Sequence, residues 1–131
     1  MKKNKTIGLA CAWLPVVFWM AAIFYFSSMP LPPTAGAGVE VNKLLHVAEY
    51  AGLGFLFARA IKRGKGSSPA ALAAFSFAFA LVYGASDEIH QLFVPGRHFA
   101  YADMLLDAVG GAVGGLANLL LSRTKSFGKI T

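Results

Sequence analysis

Residues 69–93 read PAALAAFSFAFALVYGASDEIHQLF, and this stretch decides the fold. Its first five helical turns contain no charged residue, and its acidic residues and its histidine come only in the last two turns. A helix needs about 20 consecutive apolar residues to cross a bilayer core about 30 Å thick. The stretch is therefore predicted to span a membrane as one helix that carries polar groups at a single end.

Three further runs of similar length and polarity accompany this stretch. They cover about residues 8–27, 44–61 and 102–121, and the first contains Pro15, which a membrane helix tolerates as a kink point. Together the four runs predict an all-α membrane protein whose four transmembrane helices form an antiparallel bundle. The spans occupy most of the chain, so residues 1–131 are expected to form a single transmembrane domain.

The segments between the runs have turn-forming compositions. Residues 28–38 read SMPLPPTAGAG, residues 62–68 read KRGKGSS, and residues 94–97 read VPGR. Proline and glycine interrupt helices, and short polar turns join antiparallel neighbours. These connectors support the division of the chain into four helices.

The composition of the whole chain agrees with a membrane location. The mean hydropathy is +0.58, 56% of the 131 residues are apolar, and only 14% are charged, whereas about 25% are charged in typical globular domains. Cys11 is the single cysteine, so no internal disulfide can form. These values exclude a soluble enzyme, a disordered tail and a disulfide-stabilised scaffold.

The basic residues gather at one end of the predicted bundle and indicate its orientation. Ten of the twelve lie near the termini or the second connector: Lys2, Lys3, Lys5, Arg59, Lys62, Arg63, Lys65, Arg123, Lys125 and Lys129. Because cytoplasmic loops of membrane proteins are enriched in lysine and arginine, both termini are expected to be cytoplasmic. The expected location is the bacterial plasma membrane, which the protein crosses several times. This distribution accounts for the net charge of +6, so nucleic acid is not expected as a partner.

All acidic residues and histidines fall at the opposite, outer end of the predicted bundle. Glu49, Asp87 and Asp107 each lie at least one helical turn inside a predicted span. An ionisable side chain at the centre of a bilayer costs about 2.5–3.5 kcal/mol on insertion scales unless it faces the bundle interior. We therefore expect the polar side chains to converge on one another near the outer face of the membrane.

Helical spacing supports this convergence. His46, Glu49 and Tyr50 share one face of the second span, and Asp103 and Asp107 share one face of the fourth. One face of the third span carries Tyr83, Asp87, His90 and Gln91. The fourth span continues inward with two overlapping small-residue steps, at Gly110, Gly111, Gly114 and Gly115. Such steps let a neighbouring helix approach closely, so these glycines are expected to serve packing.

Several motifs together resemble the VanZ-like family. Residues 87–97 read DEIHQLFVPGR and are followed by Asp103 and a glycine-rich last helix, which is similar to the central signature of that family. Residues 43–50, KLLHVAEY, look like its second-helix motif, and residues 25–28, YFSS, resemble the end of its opening helix. The resemblance covers about residues 10–121.

The resemblance implies a role in the bacterial cell envelope. The namesake of the family is an accessory membrane protein linked to low-level resistance to teicoplanin, a glycopeptide that binds cell-wall precursors. The expected partners are accordingly membrane lipids together with a lipid-linked wall precursor or the glycopeptide itself. A contribution to teicoplanin resistance is the corresponding functional expectation.

The outer polar cluster can be interpreted in three ways. In the first, it hydrolyses or transfers the headgroup of a lipid-linked substrate, with His46 or Glu49 as general base. The candidate catalytic residues are His46, Glu49, Asp87, Glu88, His90 and Asp103. The candidate substrate-binding residues are Tyr50, Gln91, Arg97 and Asp107. Arg97 is suited to hold a phosphate group.

A divalent metal ion is a variant of the catalytic interpretation. Carboxylates and imidazoles ligate such ions. The ligands within reach are His46, Glu49, Asp87, His90 and Asp103. Because the sequence contains no HExxH or comparable spacing, it specifies neither this ion nor another cofactor.

The two other interpretations involve no reaction. In one, the cluster binds an anionic headgroup, a wall precursor or the glycopeptide without converting it. In the other, Arg97 pairs with nearby carboxylates and the cluster only ties helix ends together. This last interpretation explains single residues better than the whole set, because packing does not require so many ionisable groups. A transporter would need a second repeat, which a homo-oligomer would supply.

Overall fold

The computed structural model describes residues 2–30, 39–62 and 68–127, and it is helical throughout apart from short turns. The four helices are α1 (Lys2–Ser27), α2 (Val39–Lys62), α3 (Pro69–Gln91) and α4 (Tyr101–Phe127). Each of them is long and apolar enough to cross a membrane. The predicted all-α, four-helix membrane fold is therefore confirmed, and within the described ranges there is no strand.

The helix ends follow from local sequence signals. Ser68 caps α3 by accepting a hydrogen bond from the Ala71 N–H at 3.1 Å, and Pro69 takes the first helical position, where its missing N–H costs nothing. The third predicted span ran two residues too far, because α3 ends at Gln91 and Phe93 already lies in a turn.

The predicted turn at residues 94–97 is confirmed. The Arg97 N–H donates to the Val94 carbonyl at 3.1 Å, and Gly96 adopts a φ of 78°, a left-handed conformation that glycine accepts without strain. Residues 31–38 and 63–67, which make up most of the other two predicted connectors, lie outside the described residues.

Helix α4 packs between α2 and α3, and its glycines make this possible. A Cβ atom on Gly110 would lie 2.7 Å from the Val47 carbonyl oxygen of α2, and one on Gly114 would overlap a backbone carbonyl of the same helix. On the other side, a Cβ atom on Gly115 would lie 2.6 Å from the Ser76 hydroxyl of α3. The predicted role of these glycines in close packing is confirmed.

Helix α1 joins the bundle through α2 and α3 rather than through α4. The Trp19 indole N–H donates to the Glu49 carbonyl at 2.8 Å, and the Tyr83 hydroxyl donates to the Met20 carbonyl at 2.6 Å. A buried indole or phenol needs such a partner for its polar end. These bonds attach α1 to α2 and α3 beside the polar residues of those two helices.

The distribution of polarity suits a lipid environment. Large apolar side chains such as Phe18 and Val82 are exposed, whereas Asp87, Glu88 and Asp107 are buried. In water this arrangement would be unfavourable. The buried acids would lose their hydration, and the exposed apolar side chains would gain no free energy from leaving water. In a bilayer the exposed apolar side chains face hydrocarbon, and the protein is accordingly a multi-pass membrane protein.

Candidate functional site

A partly open cavity of about 260 Å³ lies at the polar end of the bundle. It is formed by the C-terminal end of α1, the first turns of the membrane-spanning part of α2, the last turns of α3 and the turn that follows α3. Its lining residues are Phe26, Ser27, Met29, Pro30, Leu45, His46, Glu49, Asp87, Gln91 and Arg97. Five of the ten predicted site residues therefore meet in one place: His46, Glu49, Asp87, Gln91 and Arg97.

Helix α2 contributes His46 and Glu49 from one face, as their spacing predicts. His46 is held by Asp107 of α4, with 3.0 Å between its Nδ1 and the Asp107 Oδ1. The His46 side chain is 12% exposed and that of Asp107 is fully buried. This contact fixes the orientation of the imidazole ring at the wall of the cavity.

The Asp107 carboxylate fits inside the bundle because α3 has a glycine opposite to it. A Cβ atom on Gly84 would lie only 2.9 Å from the Asp107 Oδ2. Sequence reasoning did not single out Gly84. Its position three residues before Asp87, on the same face of the helix, is the signal that would have identified it.

Helix α3 contributes Asp87 and Gln91, which are joined to each other and to α1. The Gln91 side-chain amide donates to the Asp87 Oδ2 and to the Ser27 hydroxyl, both at 3.1 Å. Asp87 is only 3% exposed, and its Oδ1 has no hydrogen-bond partner. One oxygen of Asp87, a residue of the cavity lining, is thus buried without a partner.

Arg97 closes one side of the cavity by bonding to the end of α1. Its Nε donates to the Met29 carbonyl at 3.1 Å and its Nη2 to the Phe26 carbonyl at 3.3 Å. The last carbonyls of a helix have no partner within the helix, and arginine side chains often satisfy them. Of the interpretations left open by the sequence, the structural one paired Arg97 with carboxylates, whereas these bonds to backbone carbonyls tie the turn to α1.

Glu88 is fully buried behind the cavity and holds the start of α4. Its Oε2 accepts the Ala100 N–H at 2.8 Å, while its Oε1 has no hydrogen-bond partner. Tyr50 is also fully buried, and its hydroxyl has no partner either. Neither residue lines the cavity, and the same holds for Asp107.

His90 and Asp103 lie outside the cavity lining as well. The His90 Nε2 lies 2.9 Å from the Ser28 hydroxyl oxygen, and its ring stacks on Phe24 with 4.3 Å between ring centroids. His90 therefore connects α3 to α1. Asp103 is half-buried in the first turn of α4, one turn before Asp107.

The cluster behind the cavity has the composition of a ligand set. His46, Glu88 and Asp107 each offer one potential ligand atom, and these three atoms lie within 4.8 Å of one another. Only His46 belongs to the set of metal ligands that was expected from the sequence. The other two come from the buried layer directly behind the cavity wall.

Comparison with known proteins places these features in a family. The family model described as VanZ/LLP1 matches residues 12–122, a range that includes all the predicted site residues. Searches of the curated proteins and of the solved structures give no significant match.

Proposed function

The chain belongs to the VanZ/LLP1 family, and we propose that it acts in the bacterial cell envelope by taking the headgroup of a lipid-linked molecule into its polar cavity. The observation that carries this proposal is the cavity itself, in which ionisable side chains from two helices and a turn meet beside apolar residues. The cavity lies at the end of the bundle, where the headgroups of the surrounding lipids are found.

The size and lining of the cavity favour one part of an amphiphilic ligand. About 260 Å³ is slightly less than the roughly 300–1,000 Å³ of pockets that enclose drug-sized molecules. A headgroup fits such a volume, but a complete lipid-linked wall precursor does not. Phe26, Pro30 and Leu45 provide an apolar side along which a lipid chain can leave the cavity towards the bilayer.

The paired His46 and Asp107 support a reaction at this headgroup. A buried carboxylate that accepts from one ring nitrogen of a neutral histidine orients the ring, so that the other nitrogen can take a proton as a general base, and it stabilises the imidazolium that then forms. Glu49 and Asp87 lie on the same cavity and offer further carboxylates for proton transfer. Hydrolysis or transfer of the headgroup is the reaction class that these groups suit.

The alternative, in which the polar cluster only ties helix ends together, is supported by the contacts of three residues. Gln91, Arg97 and His90 each bond to residues near the end of α1, and these bonds would hold the helices together without any ligand. The same explanation leaves one buried oxygen of Asp87, a residue of the cavity lining, without a partner.

We propose further that the cavity faces the outer leaflet and that its target is a lipid-linked wall precursor. The resemblance to a family whose namesake is linked to teicoplanin resistance supports this target, because teicoplanin binds such precursors. A protein that binds or alters the precursor would lower the amount available to the glycopeptide. Reduced susceptibility to teicoplanin is the expected cellular effect.

The test uses Glu49→Gln and Asp87→Asn, which preserve size and remove a charge from the cavity. We expect turnover of a polyprenyl-diphosphate-linked wall precursor in proteoliposomes to fall by about 100-fold or more, because proton transfer is lost, while the melting temperature in detergent stays near that of the wild type. The matched control is His98→Gln, an exposed residue in the same turn as Arg97. Unchanged function with a strongly lowered melting temperature would contradict the proposal and favour the structural alternative.

A further inference from the structure

The cluster behind the cavity wall brings one imidazole and two carboxylates together from three different helices. His46 lies on α2, Glu88 on α3 and Asp107 on α4, and one potential ligand atom of each lies within 4.8 Å of the others. Glu88 and Asp107 are both fully buried. We propose that His46, Glu88 and Asp107 bind a divalent transition-metal ion such as Zn²⁺ or Mn²⁺.

The charge of the buried layer favours a cation. Asp87, Glu88 and Asp107 are three buried carboxylates. The hydrogen bonds found for these carboxylates go to the Gln91 amide, to the Ala100 N–H and to His46, so two of these three partners are uncharged groups. Buried charges require compensation from paired charges or a bound metal. A divalent ion supplies the positive charge that the cluster lacks.

The hydrogen bonds of the two acids leave one oxygen of each available. Glu88 uses Oε2 to hold Ala100, and its Oε1 is buried without a partner. Asp107 uses Oδ1 to hold His46, and its Oδ2 is also buried without a partner. Buried polar atoms without a partner are rare in native proteins and call for an explanation such as an ion. A metal ion satisfies both carboxylates at once.

The contact between His46 and Asp107 already holds an imidazole beside a carboxylate. Their Nδ1 and Oδ1 atoms are hydrogen-bonded at 3.0 Å, and the Oδ2 of the same carboxylate is free. An ion bound here would take the place of the proton between the imidazole and the carboxylate, with metal–ligand distances of about 2.0–2.2 Å. Imidazole favours zinc, iron and related ions, and carboxylates also accept manganese, so the mixed set points to Zn²⁺ or Mn²⁺. Three protein ligands leave a coordination position open, as in catalytic metal sites.

The proposal is independent of the lipid-linked target, because ion binding is measured without any lipid substrate. The purified, untagged protein in detergent is stripped with a chelator and titrated with Zn²⁺ by calorimetry and with Mn²⁺ by electron paramagnetic resonance. We expect one ion per chain and a rise in melting temperature that depends on ion concentration. Absence of saturable binding by the wild type would overturn the proposal, whatever the variants do.

Variants identify the ligands. Glu88→Gln and His46→Gln are expected to weaken binding at least about 10-fold, since even residues that only support metal ligands cost 10–100-fold. The matched controls are His90→Gln and Asp103→Asn, which belong to the ligand set expected from the sequence and lie outside the cluster of three. Binding that is lost in the controls but kept in Glu88→Gln would refute the assignment of ligands. Asp107→Asn is expected to weaken ion binding in the same way. If this third variant does not fold, the Glu88 and His46 variants still decide whether the cluster binds the ion.

Discussion

Asp107 can occupy the interior of the membrane bundle because its neighbours accept each side of its carboxylate. His46 binds the Oδ1, and the missing side chain of Gly84 gives the Oδ2 its space. An aspartate that faced lipid at this depth would be expelled towards the interface or would destabilise the helix. The position of Asp107 therefore depends on a residue of α3 that carries no side chain at all.

We predict that Gly84→Ala lowers the stability of the protein by displacing Asp107. The new Cβ atom would lie 2.9 Å from the Asp107 Oδ2 and 3.1 Å from its Cβ, which is closer than side-chain atoms normally approach. Overpacking of this kind typically costs about 1–3 kcal/mol. The measurement is the melting temperature in detergent. Gly8→Ala serves as the matched control, because nothing lies within 4 Å of the Cβ it adds.

A second background shows whether Asp107 is the cause. An Asp107→Ala protein lacks the carboxylate that the new methyl group of Gly84→Ala would meet. In that background Gly84→Ala should therefore lower the free energy of unfolding much less. An equal cost in both backgrounds would mean that Gly84 matters for helix packing rather than for the carboxylate. The comparison is a double-mutant cycle between two residues in direct contact.

At the scale of residues, helical spacing was sufficient to predict which side chains share a face. It placed His46 and Glu49 together and put Asp87 with Gln91, and all four line the cavity. Spacing did not predict that Arg97 bonds to carbonyls of α1, because a sequence does not show which backbone groups lie near a turn. It also did not show that Glu88 and Asp107 lie behind the cavity, since this depends on how the helices are rotated about their axes.

At the scale of helices, α4 determines how closely the bundle packs. Its glycines come in two pairs, of which Gly110 and Gly114 face α2 while Gly111 and Gly115 face α3. The sequence predicted close packing from these small residues but did not show that the Cβ positions of the two pairs point towards different helices. Because α4 also carries Asp107, this packing sets the distance at which the carboxylate meets His46 of α2.

We predict that Gly114→Ala strongly destabilises the bundle. A Cβ atom at this position would overlap the Ala51 carbonyl of α2, and a backbone atom cannot move aside as a side chain can. The helices must separate, at a cost of at least about 1–3 kcal/mol in the free energy of unfolding. Val113→Ala places the same residue at the neighbouring, exposed position and should change stability little. Equal melting temperatures for the two variants would show that α2 and α4 do not pack this closely.

At the scale of the whole molecule, the two ends of the bundle have different chemistry. The cavity and the buried acids occupy one end, whereas Arg59, Lys62 and Arg123 lie at the other. There the Lys62 ammonium group donates to the Ser122 hydroxyl and connects the ends of α2 and α4. The buried acids thus lie at one end of the bundle, together with Arg97, and these three basic residues lie at the other end.

We predict that the basic end is cytoplasmic and that the cavity opens to the outer side of the plasma membrane. Cytoplasmic loops are enriched in lysine and arginine, and along the sequence ten of the twelve basic residues lie near the termini or the second connector. Reporter fusions after Lys65 and after Thr131 should give cytoplasmic signals, and fusions after Gly38 and Gly96 should give external ones. The two external sites lie on different connectors and so provide independent checks of the same face. A cytoplasmic signal at Gly96 would place the cavity on the inner leaflet, where it could not meet an extracellular glycopeptide, and the proposed link to teicoplanin resistance would then fail even if the cavity binds a lipid headgroup.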